Sequence, residues 1–353
     1  MTPKMKLISV TTLVDETVEK LAPYCDIELK NIEEYGRAPG EHLVNAVNGA
    51  DIVVMAEQEI DRQMLEQMKD HGMKLLCCTR GTPVNVDWQA VHDLDIPLVH
   101  SPGRSRHSVA EFTIGLMIAC TRYLALLSGF TAKGKTYHGP AVEDIFADTE
   151  NTEGDEPTGF VHPAFEYGAQ KAFELYGRTL GLLGFGPIGR EVCTLAKGFQ
   201  MNVIAYDPFV EADMMEKWGA EKVELDDLLA RSHIISNHMA VTPQTRGIID
   251  KSWYDKMRKG VYIVNTGRAA VFDQKAFLDA LQDGTVAGAG LDVFWREPLP
   301  QNHPLWNMEN VVLTPHIAGV TQDMRTWQSR LIADDVIRFC LGEPLENRWT
   351  RLE

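Results

Sequence analysis

LGLLGFGPIGR, residues 180–190, is followed along the chain by VIAYDP, residues 203–208. Three glycines in the first stretch, Gly184, Gly186 and Gly189, stand between an apolar run typical of a strand and a segment with helical periodicity. This Gly-x-Gly-x-x-Gly spacing at a strand-to-helix turn predicts a βαβ unit that binds a dinucleotide. A glycine-rich turn in an ordinary βα unit is the alternative.

Each part of this stretch has a physical role in holding a dinucleotide. Gly184 allows the tight turn, Gly186 lets the backbone approach a pyrophosphate, and Gly189 lets the helix pack close to the strand. The helix that starts near Pro187 directs free N–H groups and the positive end of its dipole at the phosphates. Asp207, which closes the next apolar run, can accept hydrogen bonds from ribose hydroxyls and would repel a 2′-phosphate, so NAD is the predicted cofactor.

The composition of the chain narrows the classes of partner. A chain of 353 residues is long enough for two domains, each with its own core. The formal net charge of −16 argues against a nucleic-acid partner or an anionic membrane surface. The six cysteines lie mostly in apolar runs without metal-ligand spacing, so we expect reduced thiols and no metal site. The longest apolar segment, 109–127, carries Glu111 and Arg122 and does not favour a membrane span, so we expect a soluble cytoplasmic protein.

Two series of alternating apolar strands and helical segments divide the chain. Residues 5–100 form the first series, and the second begins with a long helix predicted over 107–129. Alternation of this kind indicates parallel sheets with helices on both faces. The sequence therefore predicts an α/β protein with two doubly wound parallel-sheet domains, a Rossmann cofactor domain and a flavodoxin-like substrate domain, with a cleft between them.

The domain boundaries follow from the last helix. Residues 321–342 have helical periodicity up to Gly342, and such a helix often crosses back to pack on the first domain, so we expect hinges near 102 and 320. The predicted domains are a substrate-binding domain, residues 1–103 and 321–353, and an NAD-binding domain, residues 104–320. The acidic stretch 140–163 is predicted to be an inserted surface loop, either without function or serving as a lid or subunit contact.

Three polar residues follow strands of the second series: Arg268 in VNTGRAAVFD, Glu297 in LDVFWREPLP and His316 in VVLTPHIAG. Open α/β sheets bind ligands at the carboxyl ends of their strands. An arginine fork holds a carboxylate through two hydrogen bonds, and a histidine gives and takes a proton near neutral pH. Taken singly, Arg268 is typical of a surface cation, Glu297 of a solvated loop acid, and His316 of a residue that caps the end of a strand. Together with a dinucleotide site they indicate oxidation of a hydroxy acid, with the carboxylate favouring the imidazolium.

These motifs resemble those of the D-isomer-specific 2-hydroxyacid dehydrogenase family, which includes phosphoglycerate, glycerate and lactate dehydrogenases. The resemblance rests on LLGFGPIGR, VNTGRAAVFD, AGAGLDVFWREPLP and LTPHIAG, in that order. It implies that Arg268 clamps the substrate carboxylate and carbonyl, that His316 is the catalytic acid/base, and that Glu297 is its partner.

The resemblance also implies further contacts. CTRGTPVNVD, residues 78–87, is similar to the family's substrate loop, and Asp292 would bind the nicotinamide carboxamide. The predicted cofactor contacts are Gly184, Gly186, Pro187, Ile188, Gly189, Asp207, His238, Ala240, Thr242, Thr266, Gly267, Arg268, Asp292, His316 and Gly319. The predicted substrate contacts are Arg80, Gly81, Thr82, Arg268 and His316. The chain departs from the family pattern at Ala269, a mild change, and at Ala240, which weakens the similarity of the adenosine loop. It also departs at the Thr-Pro pair at 82–83, which affects the substrate more than the reaction.

The sequence thus predicts an NAD-dependent dehydrogenase of small anionic D-2-hydroxy acids, or a 2-oxo acid reductase. Arg80, Arg104 and Arg106 indicate either a substrate with a second anionic group or ordinary hinge and surface cations. One alternative is a nucleotide-sensing protein like the family's transcriptional corepressors, which a turnover assay distinguishes. Another is formate dehydrogenase, which Glu297 disfavours because that branch has a glutamine as the histidine's partner.

The assembly state is predicted from the helix over 107–129. This helix has more apolar residues than one buried face needs, and a helix that is apolar on most sides is buried on most sides. We therefore expect a homodimer formed through it. Coverage of the helix by the 140–163 loop within a monomer is the alternative.

Overall fold

A computed structural model describes three stretches of the chain, residues 3–30, 40–132 and 171–350. The loop predicted at 140–163 lies outside the described residues. The chain divides into two compact units, unit 1 with Met1–Ser105 and Gly319–Glu353, and unit 2 with Arg106–Ala318. The assignment of one unit to substrate and the other to cofactor stays a prediction.

Unit 1 contains one parallel sheet. Its strands are Met5–Ser9 (β1), Cys25–Leu29 (β2), Ile52–Met55 (β3), Leu75–Cys78 (β4) and Leu98–Val99 (β5). Its first helices are Asp15–Leu21 (α1), Gly40–Ala46 (α2), Arg62–Asp70 (α3) and Trp88–Asp93 (α4). The strand order is β2-β1-β3-β4-β5. Because β3 and β4 are buried along their whole length, they consist of continuous apolar runs, IVVM and LLCC, rather than alternating patterns.

Unit 2 contains a larger parallel sheet. Its helices are Arg106–Thr121 (α5), Leu124–Ala132 (α6), Pro187–Gly198 (α7), Ala212–Lys217 (α8), Leu225–Arg231 (α9), Lys251–Tyr254 (α10) and Gln274–Gln282 (α11). Its strands are Thr179–Leu183 (β6), Asn202–Tyr206 (β7), Glu221–Lys222 (β8), Ile234–Asn237 (β9), Val261–Asn265 (β10), Val286–Leu291 (β11) and Val311–Leu313 (β12). The order is β12-β11-β10-β9-β6-β7-β8, with every pairing parallel.

Both strand orders are those of doubly wound sheets, which confirms the predicted fold class. In unit 1 the strand order corresponds to the flavodoxin-like arrangement. In unit 2 the strands β6 to β8 are added toward one edge of the sheet and β9 to β12 toward the other, so the strand order reverses between β6 and β9, as in a Rossmann fold. Ligands bind such sheets outside the carboxyl ends of the strands at the point of reversal. In unit 2 that point lies where Leu183 pairs with Asn237.

The last helix, Gln322–Leu341 (α12), returns the chain to unit 1. Thr321 caps its start by accepting a hydrogen bond from the Met324 N–H at 3.1 Å, and Gly342 ends it in the left-handed region with φ 72°. Its buried face, which includes Ile332 and Val336, packs in the core of unit 1 beneath the sheet. The predicted helix and its C-terminal glycine are therefore confirmed.

The single helix predicted over 107–129 is wrong, because the structure breaks it into α5 and α6. Tyr123 adopts a left-handed backbone with φ 54°, which cannot continue a right-handed helix. Its buried hydroxyl lies 3.1 Å from that of Tyr262 on β10, so a tertiary contact fixes the break. Leu116 and Met117 are buried in the core of unit 2, so much of the apolar surface of α5 is used within the unit itself.

We predict that Gly181→Ala destabilises unit 2. A Cβ at Gly181, in β6, would lie 2.1 Å from the Ser232 Oγ and 2.9 Å from the Leu228 side chain, so these groups must shift. Overpacking of this kind costs about 1–3 kcal/mol. Gly198→Ala is the control, because a Cβ there meets no atom within 4 Å. Urea unfolding should give a lower midpoint for the first variant only, and equal midpoints would contradict the prediction.

Candidate active site

The glycine turn after β6 is held by close backbone contacts. Gly184 has φ 91°, and a Cβ there would lie 2.9 Å from the carbonyl carbon of His238 in the loop after β9. A Cβ at Gly189 would lie 2.5 Å from the Gly184 carbonyl oxygen. A Cβ at Gly186 would meet nothing within 4 Å, so space remains above this residue. Two glycines are therefore required by the protein itself, and the third leaves room for a ligand to approach the backbone.

The N-terminus of α7 provides donors at this turn. Gly186 is the N-cap residue and Pro187 is the first helical residue, and no side chain caps the helix. The N–H groups of the first turn therefore have no intrahelical acceptor, and the helix dipole makes this end positive. An uncapped helix start beside an open glycine turn fits the pyrophosphate of a dinucleotide.

Asp207, at the end of β7, is tied to the same turn. Its Oδ2 accepts a hydrogen bond from the Phe185 N–H at 2.8 Å, and its Oδ1 accepts one from the Phe209 N–H at 2.9 Å. Each carboxylate oxygen keeps a further lone pair that could accept from a ribose hydroxyl. Asp207 thus also fixes the glycine turn, a role that its position in the sequence alone did not indicate.

The loop after β9 carries the predicted residues His238, Ala240 and Thr242. The His238 Nε2 lies 2.9 Å from the Ser236 Oγ, and burial lowers the pKa of this histidine to about 4, so the ring is neutral near pH 7. Thr245, which sequence reasoning missed, holds the loop together. Its hydroxyl donates to the Ala240 carbonyl and accepts from the Thr242 N–H, both at 2.7 Å.

Two buried asparagines fix the loop that carries Arg268. Asn237 ends β9 and Asn265 ends β10, and the Asn237 Nδ2 donates to the Asn265 Oδ1 at 3.0 Å. The same Oδ1 accepts from the Gly267 N–H at 3.1 Å, and a Cβ at Gly267 would lie 2.9 Å from the Asn237 carbonyl oxygen. The Thr266 hydroxyl lies 2.8 Å from that of Thr113 on α5. The loop backbone is therefore rigidly held, while the Arg268 side chain is exposed.

Asp292, directly after β11, is fully buried and holds the loop after β12. Its Oδ1 accepts from the Thr314 hydroxyl at 2.6 Å and from the Ile317 N–H at 3.0 Å, and its Oδ2 accepts from the Ala318 N–H at 2.9 Å. These bonds fix the backbone on both sides of His316, which has a left-handed φ of 56°. The predicted contact of Asp292 with nicotinamide stays a prediction.

His316 and Glu297 form a hydrogen-bonded pair. The His316 Nδ1 lies 2.7 Å from the Glu297 Oε2, and the Glu297 Oε1 accepts from the Phe294 N–H at 3.0 Å. Partial burial opposes ionisation of Glu297, but these hydrogen bonds and the charges of His316 and Arg268 outweigh it and hold its pKa below the usual range. An ionised carboxylate only accepts, so Nδ1 carries the proton, and the neutral ring keeps Nε2 as its acceptor.

Arg268, Glu297 and His316 thus follow β10, β11 and β12, three neighbouring strands that end along one edge of the sheet. The predicted substrate loop Arg80, Gly81 and Thr82 follows β4 in unit 1, and Gly319 also belongs to unit 1. Within the described part of the chain, no group of three or more His, Cys, Asp or Glu side chains could hold a metal ion. In the same part, no helix has both the length and the apolar character needed to cross a membrane.

Comparisons with known proteins identify the family of the chain. Residues 162–318 match the family model described as "D-isomer specific 2-hydroxyacid dehydrogenase, NAD binding domain". A glyoxylate reductase of Aeropyrum pernix is 32% identical over 329 residues, which cover 93% of this chain and 90% of that protein. A D-3-phosphoglycerate dehydrogenase of Archaeoglobus fulgidus is 32% identical over 344 residues, which cover 97% of this chain but 59% of that protein. The chain therefore spans about three-fifths of the length of this relative.

Solved structures share the fold. The apo D-mandelate dehydrogenase of Rhodotorula graminis superposes with a TM-score of 0.80 at 22% sequence identity, covering 99% of each chain. The matched NAD-binding domain includes the glycine turn, Asp207 and the three strand-end residues described above. The chain belongs to the D-isomer-specific 2-hydroxyacid dehydrogenase family and carries its NAD-binding domain.

Proposed function

We propose that the protein is an NAD-dependent oxidoreductase of D-2-hydroxy acids and the corresponding 2-oxo acids. The observation that carries the proposal is the 2.7 Å hydrogen bond between His316 and Glu297, formed beside Arg268 at the strand ends of an NAD-binding unit. Relatives named glyoxylate reductase, D-3-phosphoglycerate dehydrogenase and hydroxypyruvate reductase support this substrate class. The substrates in these names share a carboxylate next to the reacting carbon.

The nicotinamide would supply or accept the hydride at C2 of the substrate. During oxidation the neutral His316 would take the hydroxyl proton at Nε2, and during reduction the imidazolium would return it to the carbonyl oxygen. The carboxylate of Glu297 would keep the proton on Nδ1 and stabilise the imidazolium. Arg268 would hold the substrate carboxylate and polarise the carbonyl through its guanidinium fork.

The remaining assignments are separate predictions. The backbone N–H groups of Arg80, Gly81 and Thr82 would contact the substrate carboxylate. A cytoplasmic location and the absence of nucleic-acid and membrane partners stay predictions from composition. A corepressor-like protein would bind the nucleotide without sustained turnover, and this is the competing function that the first experiment addresses.

The decisive experiment follows NADH absorbance with a panel of 2-oxo acids. The panel includes small, branched, dicarboxylic and phosphorylated members, and we expect turnover of at least one. His316→Ala should lower kcat by roughly 10²–10⁴-fold, which is the usual contribution of general acid–base catalysis. NADH binding in the wild-type protein without turnover of any member would favour the corepressor-like alternative. An active His316→Ala variant would remove His316 from the mechanism.

Cofactor preference gives a second prediction. The Asp207 carboxylate would repel a 2′-phosphate, so NADH should be preferred over NADPH. Asp207→Asn removes the charge and keeps one acceptor oxygen, so one of the bonds from the Phe185 and Phe209 N–H groups is lost for both cofactors alike. We expect this variant to narrow the preference by roughly tenfold, or about 1.4 kcal/mol. The ratio of kcat/KM values for the two cofactors measures this. Equal use of both cofactors by the wild-type protein would refute it.

The pH dependence gives a third prediction. Because the pKa of Glu297 is held below its usual range, this residue is ionised at neutral and mildly acidic pH and favours the imidazolium of His316. In Glu297→Gln that support is lost. Reduction, which uses the protonated ring, should therefore fail at a lower pH than in the wild type, and oxidation should extend to lower pH. Asp279→Asn, at an exposed ion pair on α11, is the control and should leave both profiles unchanged. An unshifted profile in Glu297→Gln would exclude its role.

We also propose that the protein is a homodimer formed through the region predicted as one helix over 107–129, with α6 at the centre of the contact. Leu124 is 50% exposed, and Leu126 lines a cavity of about 230 Å³ together with Trp306, itself 53% exposed. Exposed apolar residues clustered beside a pocket are typical of protein interfaces.

Light scattering at micromolar concentration tests the dimer, since the chain mass is 39.5 kDa. We expect about twice this mass for the wild type and a shift toward the monomer in Leu124→Glu, because a charge would be buried in the contact. Leu341→Glu, at an equally exposed leucine on α12, should not change the mass. A monomeric wild-type protein would overturn the proposal.

A further inference from the structure

Two arginines of unit 1 are tied together behind the ends of β4 and β5. The Ser101 N–H donates to the Arg80 carbonyl at 2.9 Å, and the Arg104 N–H donates to the Ser101 carbonyl at 3.3 Å. Ser101 is fully buried, and the His100 Nδ1 lies 2.7 Å from the carbonyl oxygen of Gly81. The loop after β4 and the loop after β5 are therefore joined by their backbones, which keeps Arg80 and Arg104 near each other.

The guanidinium of Arg104 is positioned without being neutralised. Its Nη1 donates to the side-chain oxygen of Gln328 on α12, and Gln328 is only 5% exposed. An amide oxygen accepts a hydrogen bond but carries no negative charge. Gln328 therefore fixes the direction of the guanidinium and leaves its positive charge available.

In the part of the chain that the structure describes, the charges of Arg80 and Arg104 are not balanced by an ion pair. Burial, and then the charge of Arg80, lower the pKa of Arg104, while the charges of Cys78 and Glu57 act in the opposite direction. A guanidinium stays protonated throughout, so the two cations repel each other. Among the described residues, neither arginine forms a salt bridge, and the Arg80 guanidinium has no side-chain hydrogen bond.

Arginines elsewhere in the described structure show a different arrangement. Several have carboxylate partners, in the pairs Arg62–Asp93, Arg231–Glu221, Arg330–Glu16 and Arg338–Glu346. The formal net charge of −16 means that acidic partners are abundant in this chain. Two adjacent arginines without such partners, one of them held by a buried amide, form a cationic position that an anion would stabilise.

We propose that Arg80 and Arg104 bind a second anionic group of the substrate, a carboxylate or a phosphate borne on the part of the molecule away from the carboxylate next to C2. The inference rests on the proposed function and assigns its substrate class, namely 2-oxo acids with two anionic groups. The guanidinium fork matches both carboxylate and phosphate oxygens. Arg106 is not part of this pair, since its Nε donates to the ring of its neighbour His107.

Matched substrates test the proposal. One pair is 2-oxoglutarate and 2-oxoglutaramate, in which an amide replaces the distal carboxylate, and the other is phosphohydroxypyruvate and hydroxypyruvate. Arg104→Gln should lower kcat/KM for the substrate with two anionic groups by roughly 10–100-fold, as expected for a lost hydrogen bond to a charged group, and for the substrate with one by less than about threefold. The two pairs distinguish a carboxylate from a phosphate. Arg62→Gln, at an exposed ion pair on α3, is the control and should affect neither.

Other outcomes overturn the proposal. An equal loss for both members would mean that the arginines bind the carboxylate that all substrates share, and no loss would make them ordinary surface cations. Arg104→Lys keeps the charge but loses the fork, so it should show a smaller but equally selective loss, which serves if the glutamine variant does not fold.

A binding measurement separates this inference from the proposed function. Malonate and inorganic phosphate should raise the Tm of the wild-type protein more than that of Arg104→Lys, whether or not any substrate is turned over. Turnover confined to the substrates with one anionic group, together with equal Tm shifts, would refute the inference alone. Selective Tm shifts without turnover on the whole panel would refute the proposed function and leave the anion site.

Discussion

The buried carboxylate of Asp292 holds the catalytic end of unit 2 together. Three donors from the loop after β12 converge on its two oxygens, and the loop places His316 between two of them. A buried carboxylate is tolerated only where such donors compensate for lost hydration. The left-handed backbone of His316 is likewise sustained by its surroundings, since a non-glycine residue adopts it at some cost.

The cofactor turn depends on a different constraint, the contact of backbone with backbone. Gly184 lies against the carbonyl group of His238, and Gly189 lies against the carbonyl oxygen of Gly184. No side-chain atoms fit between these segments, so the turn after β6 and the loop after β9 form one surface. Asp207 extends this surface to β7 through the Phe185 N–H. The strands β9, β6 and β7, which lie around the point where the strand order reverses, are thereby connected at their carboxyl ends.

Much of this organisation is predictable from the sequence because it rests on local patterns. Short apolar runs separated by helical segments predict parallel sheets, and the glycine spacing predicts the turn after β6. The break at Tyr123 was not predictable, since apolar residues continue on both sides of it and its cause is the contact with Tyr262, far along the chain. The strand Glu221–Lys222 escaped prediction because two polar residues carry no pattern.

The candidate site shows the same division. Arg268, Glu297 and His316 were identified from motifs at predicted strand ends, and the structure brings His316 and Glu297 into contact. The supporting bonds of Asn237 with Asn265 depend on the pairing of β9 and β10, which no local pattern reveals. The sequence does show polar residues at the ends of buried strands, which marks them as candidates for the site, but it does not show which side chains they bond to.

The placement of α12 has a consequence for biosynthesis. Unit 2 is a continuous segment and is complete when Ala318 has been made, whereas unit 1 needs residues that precede unit 2 and residues that follow it. Ile332, Ala333 and Val336 pack beside α1 on one side of the unit 1 sheet, so that side is only partly covered while the ribosome adds the residues before them. Residues 1–105 are therefore made before unit 2 but complete their core after it, and during translation the exposed apolar part of their sheet is a surface for chaperones to shield.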